Sequence, residues 1–269
     1  MRLANKVAVV LGASAQGGTG WAIAEGLARE GARVVVGARR IEPLRELAER
    51  IGGLAVACDA SKEEQVAAFA QAAVEAYGPI DIAVNSAGRP VLGTIAAADH
   101  DRIRRSLAVD FFGNAWFVRY MAQAMSDGGS IVLISSSSSA QPVLPFFPYG
   151  CAKAATDCLV RYAAVEFGGR GIRVNSILPG PIKTELARQL FEAPGAEEVF
   201  AREIPLTRVG EPADFADAVL WLADRCYASG LNLPVSGGMQ LMRAPRADEM
   251  PDPEAFDGRR LSEKGRAEA

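Results

Sequence analysis

The stretch that most limits what this chain can fold into lies near its start. Val7-Ala8-Val9-Val10-Leu11 is an unbroken apolar run, and Gly12-Ala13-Ser14-Ala15-Gln16-Gly17-Gly18-Thr19-Gly20 follows at once. From Trp21 apolar residues recur at helical spacing as far as Gly31. An apolar run without polar alternation suits a strand buried on both faces of a parallel sheet. Strand, glycine loop and helix in that order give the glycines a use beyond flexibility. They let the backbone turn sharply and bring unhindered N–H groups, with the partial positive charge of a helix N-terminus, to one spot. A plain flexible loop is the other reading, and the context favours a site for a dinucleotide pyrophosphate.

The alternation continues. Further strands are expected at 33–37, 54–58, 80–84, 130–134 and 173–178, with a last short strand within 230–238. Helices are expected from Pro43 to about 51, over 62–77, as one long helix over 101–125, over 149–167, and from Glu211-Pro212-Ala213-Asp214 onward. This order predicts an α/β fold: a single-domain, Rossmann-type, doubly wound parallel sheet over residues 1–240, with helices on both faces. Ligands of such sheets bind at the carboxyl ends of the strands. Asp59, Asn85 and the serine run 135–139 fall there, although a serine run can also be a linker. The second strand ends in Ala38-Arg39-Arg40, with no carboxylate for a ribose 2′-hydroxyl. An arginine there accommodates a 2′-phosphate, which favours NADP(H) over NAD(H); solvated surface charge is the alternative.

Tyr149-Gly150-Cys151-Ala152-Lys153 sets a phenol and an ammonium four residues apart, on one helix face. A free tyrosine titrates near pKa ~10, and a fixed positive charge favours the phenolate. The pair is a candidate general acid/base near neutral pH, with an ordinary surface pair as the bland alternative. Composition narrows the rest. A net charge of −3 over 269 residues argues against nucleic acid or anionic membrane as the main partner. Cys58, Cys151, Cys158 and Cys226 show no paired spacing, which suggests reduced thiols in a cytoplasmic protein and no zinc site. The single histidine, His100, lies between Asp99 and Asp101 and reads as an exposed helix start, so no metal site is expected. No apolar run is long enough for a membrane span, and the first strand follows the N-terminus too closely for a signal peptide. Residues 185–210, irregular around Pro194-Gly195, read as a lid beside the ligand edge. Residues 241–269 read as a charged tail with little core of its own.

The glycine loop, Asp59, Asn85-Ser86-Ala87-Gly88, a strand-end serine, Tyr149-x-x-x-Lys153 and Pro179-Gly180 occur in one order. Over roughly residues 5–240 the chain thereby resembles the short-chain dehydrogenase/reductase family. The resemblance implies that Tyr149 is the acid/base and that Lys153 lowers its pKa and holds the nicotinamide ribose. Ser136, thirteen residues before the tyrosine, is then the catalytic serine. It implies a cofactor cleft lined by Gly12, Ser14, Gly18, Gly20, Arg39, Ala60, Asn85, Ala87, Gly88 and Pro179. Asp59 would meet the adenine, and Ile182 and Thr184 the carboxamide. Two departures stand out. Gly18-x-Gly20 comes two residues later than is usual, a spacing similar to divergent enoyl reductases. That sister group carries its tyrosine seven residues before the lysine, where this chain has Phe146. In Val109-Asp110-Phe111-Phe112-Gly113, Asp110 stands where the family usually has an asparagine that helps hold a relay water, and Asn114 is a possible substitute.

Three activities fit: interconversion of a secondary alcohol and a ketone, reduction of an activated C=C bond, and cofactor binding without catalysis. Val143, Leu144, Phe146 and Phe147, with Leu186, Leu190 and Phe191 of the lid, suggest either an apolar small-molecule substrate or a subunit interface. The resemblance implies a homotetramer or homodimer, with the small-residue face of the Tyr149 helix as a contact.

Overall fold

The computed structural model describes residues 1–184, 187 and 191–251. In the first half β1 (Val7–Leu11), α1 (Thr19–Arg29), β2 (Arg33–Ala38), α2 (Ile41–Ile51), β3 (Leu54–Ala57), α3 (Glu63–Tyr77) and β4 (Ile80–Asn85) alternate. Then come α4 (His100–Leu107), a π-helical turn (Ala108–Gly113), α5 (Asn114–Ala124) and β5 (Met125–Ile134). α6 (Phe147–Phe167), β6 (Ile172–Pro179), α7 (Ala196–Arg202), α8 (Pro212–Ala223) and β7 (Asn232–Val235) complete the order.

All seven strands are parallel, in the order β3-β2-β1-β4-β5-β6-β7. Connections turn one way from β1 to β3 and the other way from β4 onward. A crevice therefore opens between β1 and β4 at the carboxyl edge. Register holds that edge level, because Leu11 pairs with both Gly37 of β2 and Asn85 of β4. β1 shows why the chain needs helices on both faces. Ala8 and Val10 join a core with Ile23 and Leu27 of α1, Leu44 and Leu47 of α2, and Phe215 and Val219 of α8. Val9 and Leu11 join the opposite core, with Phe69 of α3, Phe117 and Met121 of α5, and Val160 of α6. Successive side chains of a strand point to opposite faces, so a strand apolar at every position must be covered twice. Phe69, Phe117 and Phe215 are fully buried, and truncating any of them to alanine costs about 3–5 kcal/mol.

The long helix expected over 101–125 is two helices joined by the π turn, and β5 takes over at Met125. A π turn adds one residue to a helical repeat, a shift that apolar spacing read at 3.6 residues does not register. The tail expected from 241 is also corrected in part. Met250 is 5% exposed and joins a third, smaller core with Ala196, Phe200, Ile204, Val209 and Met239. Single apolar residues in a polar stretch carry no periodic signal. Within 185–210, the stretch expected to form a lid, the structure places the helix α7; Leu186, Leu190 and residues 252–269 lie outside the described residues.

Candidate active site

The glycine loop is built by close approach. A Cβ on Gly12, whose φ is +91°, would lie 2.3 Å from the Ala87 nitrogen, and one on Gly20 would lie 2.4 Å from the Gly12 carbonyl. These two glycines lock the loop against the β4 edge and against itself. Gly17, at φ +67°, has open space where a side chain would be. Gly18 starts α1 without any side-chain cap. The first N–H groups of α1 thus have no side-chain acceptor, beside an open glycine backbone, which fits a diphosphate. Arg40 reaches this loop: its Nε donates to Ser14 Oγ at 3.4 Å and its Nη2 to the Ser14 carbonyl at 3.1 Å. Arg39, on which the sequence reading placed the weight, stands exposed beside it.

Asp59 Oδ1 accepts from the Ser61 N–H at 2.9 Å and the Ser61 hydroxyl at 2.8 Å, which fixes the β3 exit. Ala60 is buried against Gly113, where a Cβ would come 2.5 Å from the Ala60 carbonyl. Asn85 is a buried organiser of the 85–88 turn. Its Oδ1 accepts from the Ala87 N–H at 3.0 Å, and its Nδ2 donates to Asn114 Oδ1 at 2.8 Å. Pro179 ends β6, and beyond it Ile182 bridges Gly210 and Thr184 Oγ1 accepts from Ala187 N–H at 3.3 Å.

The strand-end serine and the tyrosine come together. Ser136 is extended, and its Oγ accepts from the Ser138 N–H at 3.2 Å. Tyr149 lies in the first turn of α6 and its phenol is faced by the Ser136 hydroxyl. Lys153, one turn on, holds its ammonium 5.6 Å from the Tyr149 ring centre. Lys153 Nζ donates to the Ile134 carbonyl at 2.7 Å and lies 2.9 Å from Asp110 Oδ1. Both side chains of that ion pair are buried, at 3% and 1% exposure. Gly88 makes room for it, since a Cβ there would sit 2.9 Å from Asp110 Oδ1 and 3.3 Å from Lys153 Nζ. Asn114 is not available as a substitute for the relay asparagine. Its Nδ2 donates to the Asp110 carbonyl at 2.9 Å and to Thr156 Oγ1 at 3.1 Å, while its Oδ1 takes the Asn85 amide. The Thr156 hydroxyl also donates to the Asp110 carbonyl.

The electrostatics correct one expectation. Burial raises the Tyr149 pKa above its ordinary value; Lys153 and the Ser136 hydroxyl pull it down, and Asp110 adds to the rise. Lys153 lowers the tyrosine as expected, but burial and Asp110 carry the balance upward. Burial would lower the Lys153 pKa, yet Asp110 and Tyr149 hold it above its usual range. Burial raises the Asp110 pKa against the pull of Lys153.

Beside this group, the Phe146 ring meets Tyr149 edge-on at 6.2 Å, and Val143 and Phe191 pack on the third core. Leu144 is exposed. Among the described residues no cluster of three His, Cys, Asp or Glu side chains could hold a metal ion, and no helix is long and apolar enough to cross a membrane.

A parallel sheet with a phosphate-ready loop at its switch point, and a hydroxyl, a phenol and an ammonium along the same edge, defines a class: the dinucleotide-dependent oxidoreductases. Comparison with known proteins narrows it. A family model described as enoyl-(acyl carrier protein) reductase matches residues 12–240. The short chain dehydrogenase/reductase astE of Aspergillus oryzae is 35% identical over 254 residues, covering 89% of this chain and 97% of its own. A short-chain type dehydrogenase/reductase from Mycobacterium ulcerans has a TM-score of 0.88 at 28% identity, over 96% of each chain. A tryptophan variant of actinorhodin polyketide ketoreductase, solved with NADPH, has a TM-score of 0.82 at 28% identity, over 87% of this chain and 97% of its own. The chain belongs to the short-chain dehydrogenase/reductase family.

Proposed function

We propose that this protein is an NADP(H)-dependent oxidoreductase that interconverts a secondary alcohol and a ketone. The observation that carries the reading is the meeting of Ser136, Tyr149 and Lys153 at the sheet edge that also bears the glycine loop. The loop around Gly12, Ser14, Gly18 and Gly20, the α1 N-terminus, Asp59, Ala60, the 85–88 turn and the Pro179, Ile182 and Thr184 stretch would hold the dinucleotide. Arg39 and Arg40 would take its 2′-phosphate, since a guanidinium fork suits a phosphate. NADPH in the ketoreductase neighbour supports the same choice. When bound, the cofactor supplies hydride to a carbonyl carbon or accepts it from a carbinol.

The chain's own residues handle the oxygen. In reduction, Ser136 and Tyr149 donate hydrogen bonds to the carbonyl oxygen, and Tyr149 gives up its proton as charge develops there. In oxidation, the Tyr149 phenolate takes the alcohol proton. Lys153 favours that phenolate, and Asp110 sets how much of the lysine's charge the tyrosine feels. Val143, Phe146 and Phe191 support an apolar substrate. Exposed Ala154, Tyr162 and Val165 on α6 support assembly of copies through that helix.

A panel of ketones and alcohols with NADPH, NADP, NADH and NAD tests the reading. Tyr149→Phe removes only a hydroxyl. Turnover should fall roughly 100- to 10,000-fold, as expected for loss of a general acid/base, while NADPH still binds in a fluorescence titration. Near-parental turnover would overturn the role. Reduction of an activated C=C bond draws on the late Gly18-x-Gly20 spacing and on the matching family description. A cyclic enone separates the two, giving an allylic alcohol in the first case and a saturated ketone in the second.

A further inference from the structure

Ser136 accounts for one of the five serines at the β5 exit. A carboxylate that no step above uses accounts for two more. Asp157 lies one turn beyond Lys153 on α6 and is 8% exposed. The hydroxyls of Ser135, Ser139 and Ser176 all face its carboxylate, and Ser176 Oγ lies 3.3 Å from Oδ1. Ser135 and Ser139 stand on either side of Ser136 in the turn. Ser139 Oγ also lies 2.8 Å from the Ser136 carbonyl, and Ser135 Oγ 3.4 Å from the Lys153 carbonyl, so each single hydroxyl proton has the carboxylate and a carbonyl as alternative acceptors. From behind, Asn232 of β7 braces the same point. Its Nδ2 donates to the Asp157 carbonyl at 3.2 Å, and its Oδ1 lies 2.9 Å from Ser176 Oγ.

We propose that Asp157 is a positioning residue for the reaction: it ties the serine turn to the helix of Tyr149 and Lys153, and so sets the Ser136 hydroxyl against the phenol. The inference rests on the reading of Ser136 given above. Short serine side chains at a strand end have little apolar surface to fix them by packing. An ionised carboxylate offers about four acceptor sites and can gather several hydroxyls at once. The benefit is geometric, because misplacing a reacting group by about 1 Å can cost roughly a hundredfold in rate. Asp157 also faces the Lys153 ammonium, more weakly than Asp110 does. An electrostatic role through Lys153 is therefore the competing account. The charged and titratable groups of this buried cluster are Asp110 on the π turn and Tyr149, Lys153 and Asp157 on α6.

The test is a double-mutant cycle on the full chain. It measures kcat, KM, their pH profiles and NADPH affinity with a cyclic ketone that the parent reduces. Asp157→Ala should lower kcat roughly 10- to 100-fold, with NADPH affinity and the pH limbs unchanged. In a Ser136→Ala background the same change should cost less than about twofold, since groups acting as one unit are not additive. Asp157→Asn keeps an acceptor oxygen and should restore most of kcat. Equal losses in both backgrounds would overturn the proposal, and so would displaced pH limbs in Asp157→Asn. Should Asp157→Ala fail to fold, Ser139→Ala removes one tie with little loss of interior volume, and the same non-additivity is required of it. Parental turnover in Ser136→Ala alone would overturn the reading of Ser136 itself, and with it this proposal. A slowed Ser136→Ala with additive Asp157→Ala would overturn the proposal only.

Discussion

At the scale of single residues the unusual feature is a buried carboxylate against Lys153. Asp110 Oδ1 meets the Lys153 ammonium at 2.9 Å, and its Oδ2 has no hydrogen-bond partner among the described residues. A neutral asparagine at this place would leave the full lysine charge to act on the phenol. Here Asp110 raises the Tyr149 pKa while Lys153 lowers it, so the two partly cancel. The sign of the prediction follows. Asp110→Asn deletes a raising influence, and the Tyr149 pKa falls. Alcohol oxidation needs the phenolate, so its rate climbs as pH passes the tyrosine pKa, and that limb should move to lower pH in the variant. Ketone reduction needs the phenol, and its falling limb should move the same way. pH–rate profiles at saturating NADP and NADPH check both directions, and coincident profiles would mean that Asp110 is screened from the tyrosine. Removing one partner of a buried pair also costs stability, by up to about 3 kcal/mol, read as a lowered melting temperature.

At the scale of elements, the β2 exit and the glycine loop act as one unit, because Arg40 hydrogen-bonds Ser14 across the gap. Ala38→Asp combined with Arg39→Ala installs a ribose acceptor and removes one guanidinium. The ratio of kcat/KM for NADPH over NADH should fall by roughly tenfold or more. Arg40→Ala alone should weaken NADPH about tenfold and leave NADH little changed, if its fork meets the 2′-phosphate. A parent that already prefers NADH would remove the ground for both. The elements themselves were readable from sequence where period and punctuation agree. Val7–Leu11, the glycine loop and the alternating strands carry both signals, and the edge positions of Asp59, Asn85 and Ser136 followed from strand ends alone. What escaped were features without a period. The π turn at 108–113 shifts a helix by one residue. The engagement of Asn114 by three partners depends on β4 and α6, distant in sequence. The net rise in the Tyr149 pKa comes from burial, which spacing between Tyr149 and Lys153 does not encode.

At the scale of the whole molecule, the segment after β7 returns to pack against α7 and the chain before α6. Arg243 is the clasp: its Nη2 lies 3.0 Å from Glu203 at the end of α7 and 2.7 Å from Glu249 Oε1, while Nη1 meets Glu249 Oε2 at 2.7 Å. Gln141, on the chain between Ser136 and Tyr149, donates to the Met242 carbonyl at 2.7 Å. Met250 is buried on Phe200 and Ile204. α7 is tied in turn to the stretch after β6, where Lys183 Nζ lies 2.6 Å from Glu197. The segment 239–251 thus joins α7 to the loop that runs from Ser136 to the start of α6, where Tyr149 lies. Exposed ion pairs contribute little singly, so its hold rests mainly on Met250, whose burial contributes about 1.5–3 kcal/mol. Met250→Asp should therefore loosen the lid more than Arg243→Ala does. The expected result is a KM for the ketone raised roughly tenfold in Met250→Asp and about two- to threefold in Arg243→Ala. NADPH affinity should change less than the KM for the ketone, because the glycine loop and the β2 exit lie at β1 and β2, and it is the stretch after β6 that is joined to α7. Limited proteolysis should find faster cutting within residues 191–210 of Met250→Asp, which separates a loosened lid from a generally destabilised protein. Unchanged KM together with unchanged cleavage would show that the lid stands without the segment.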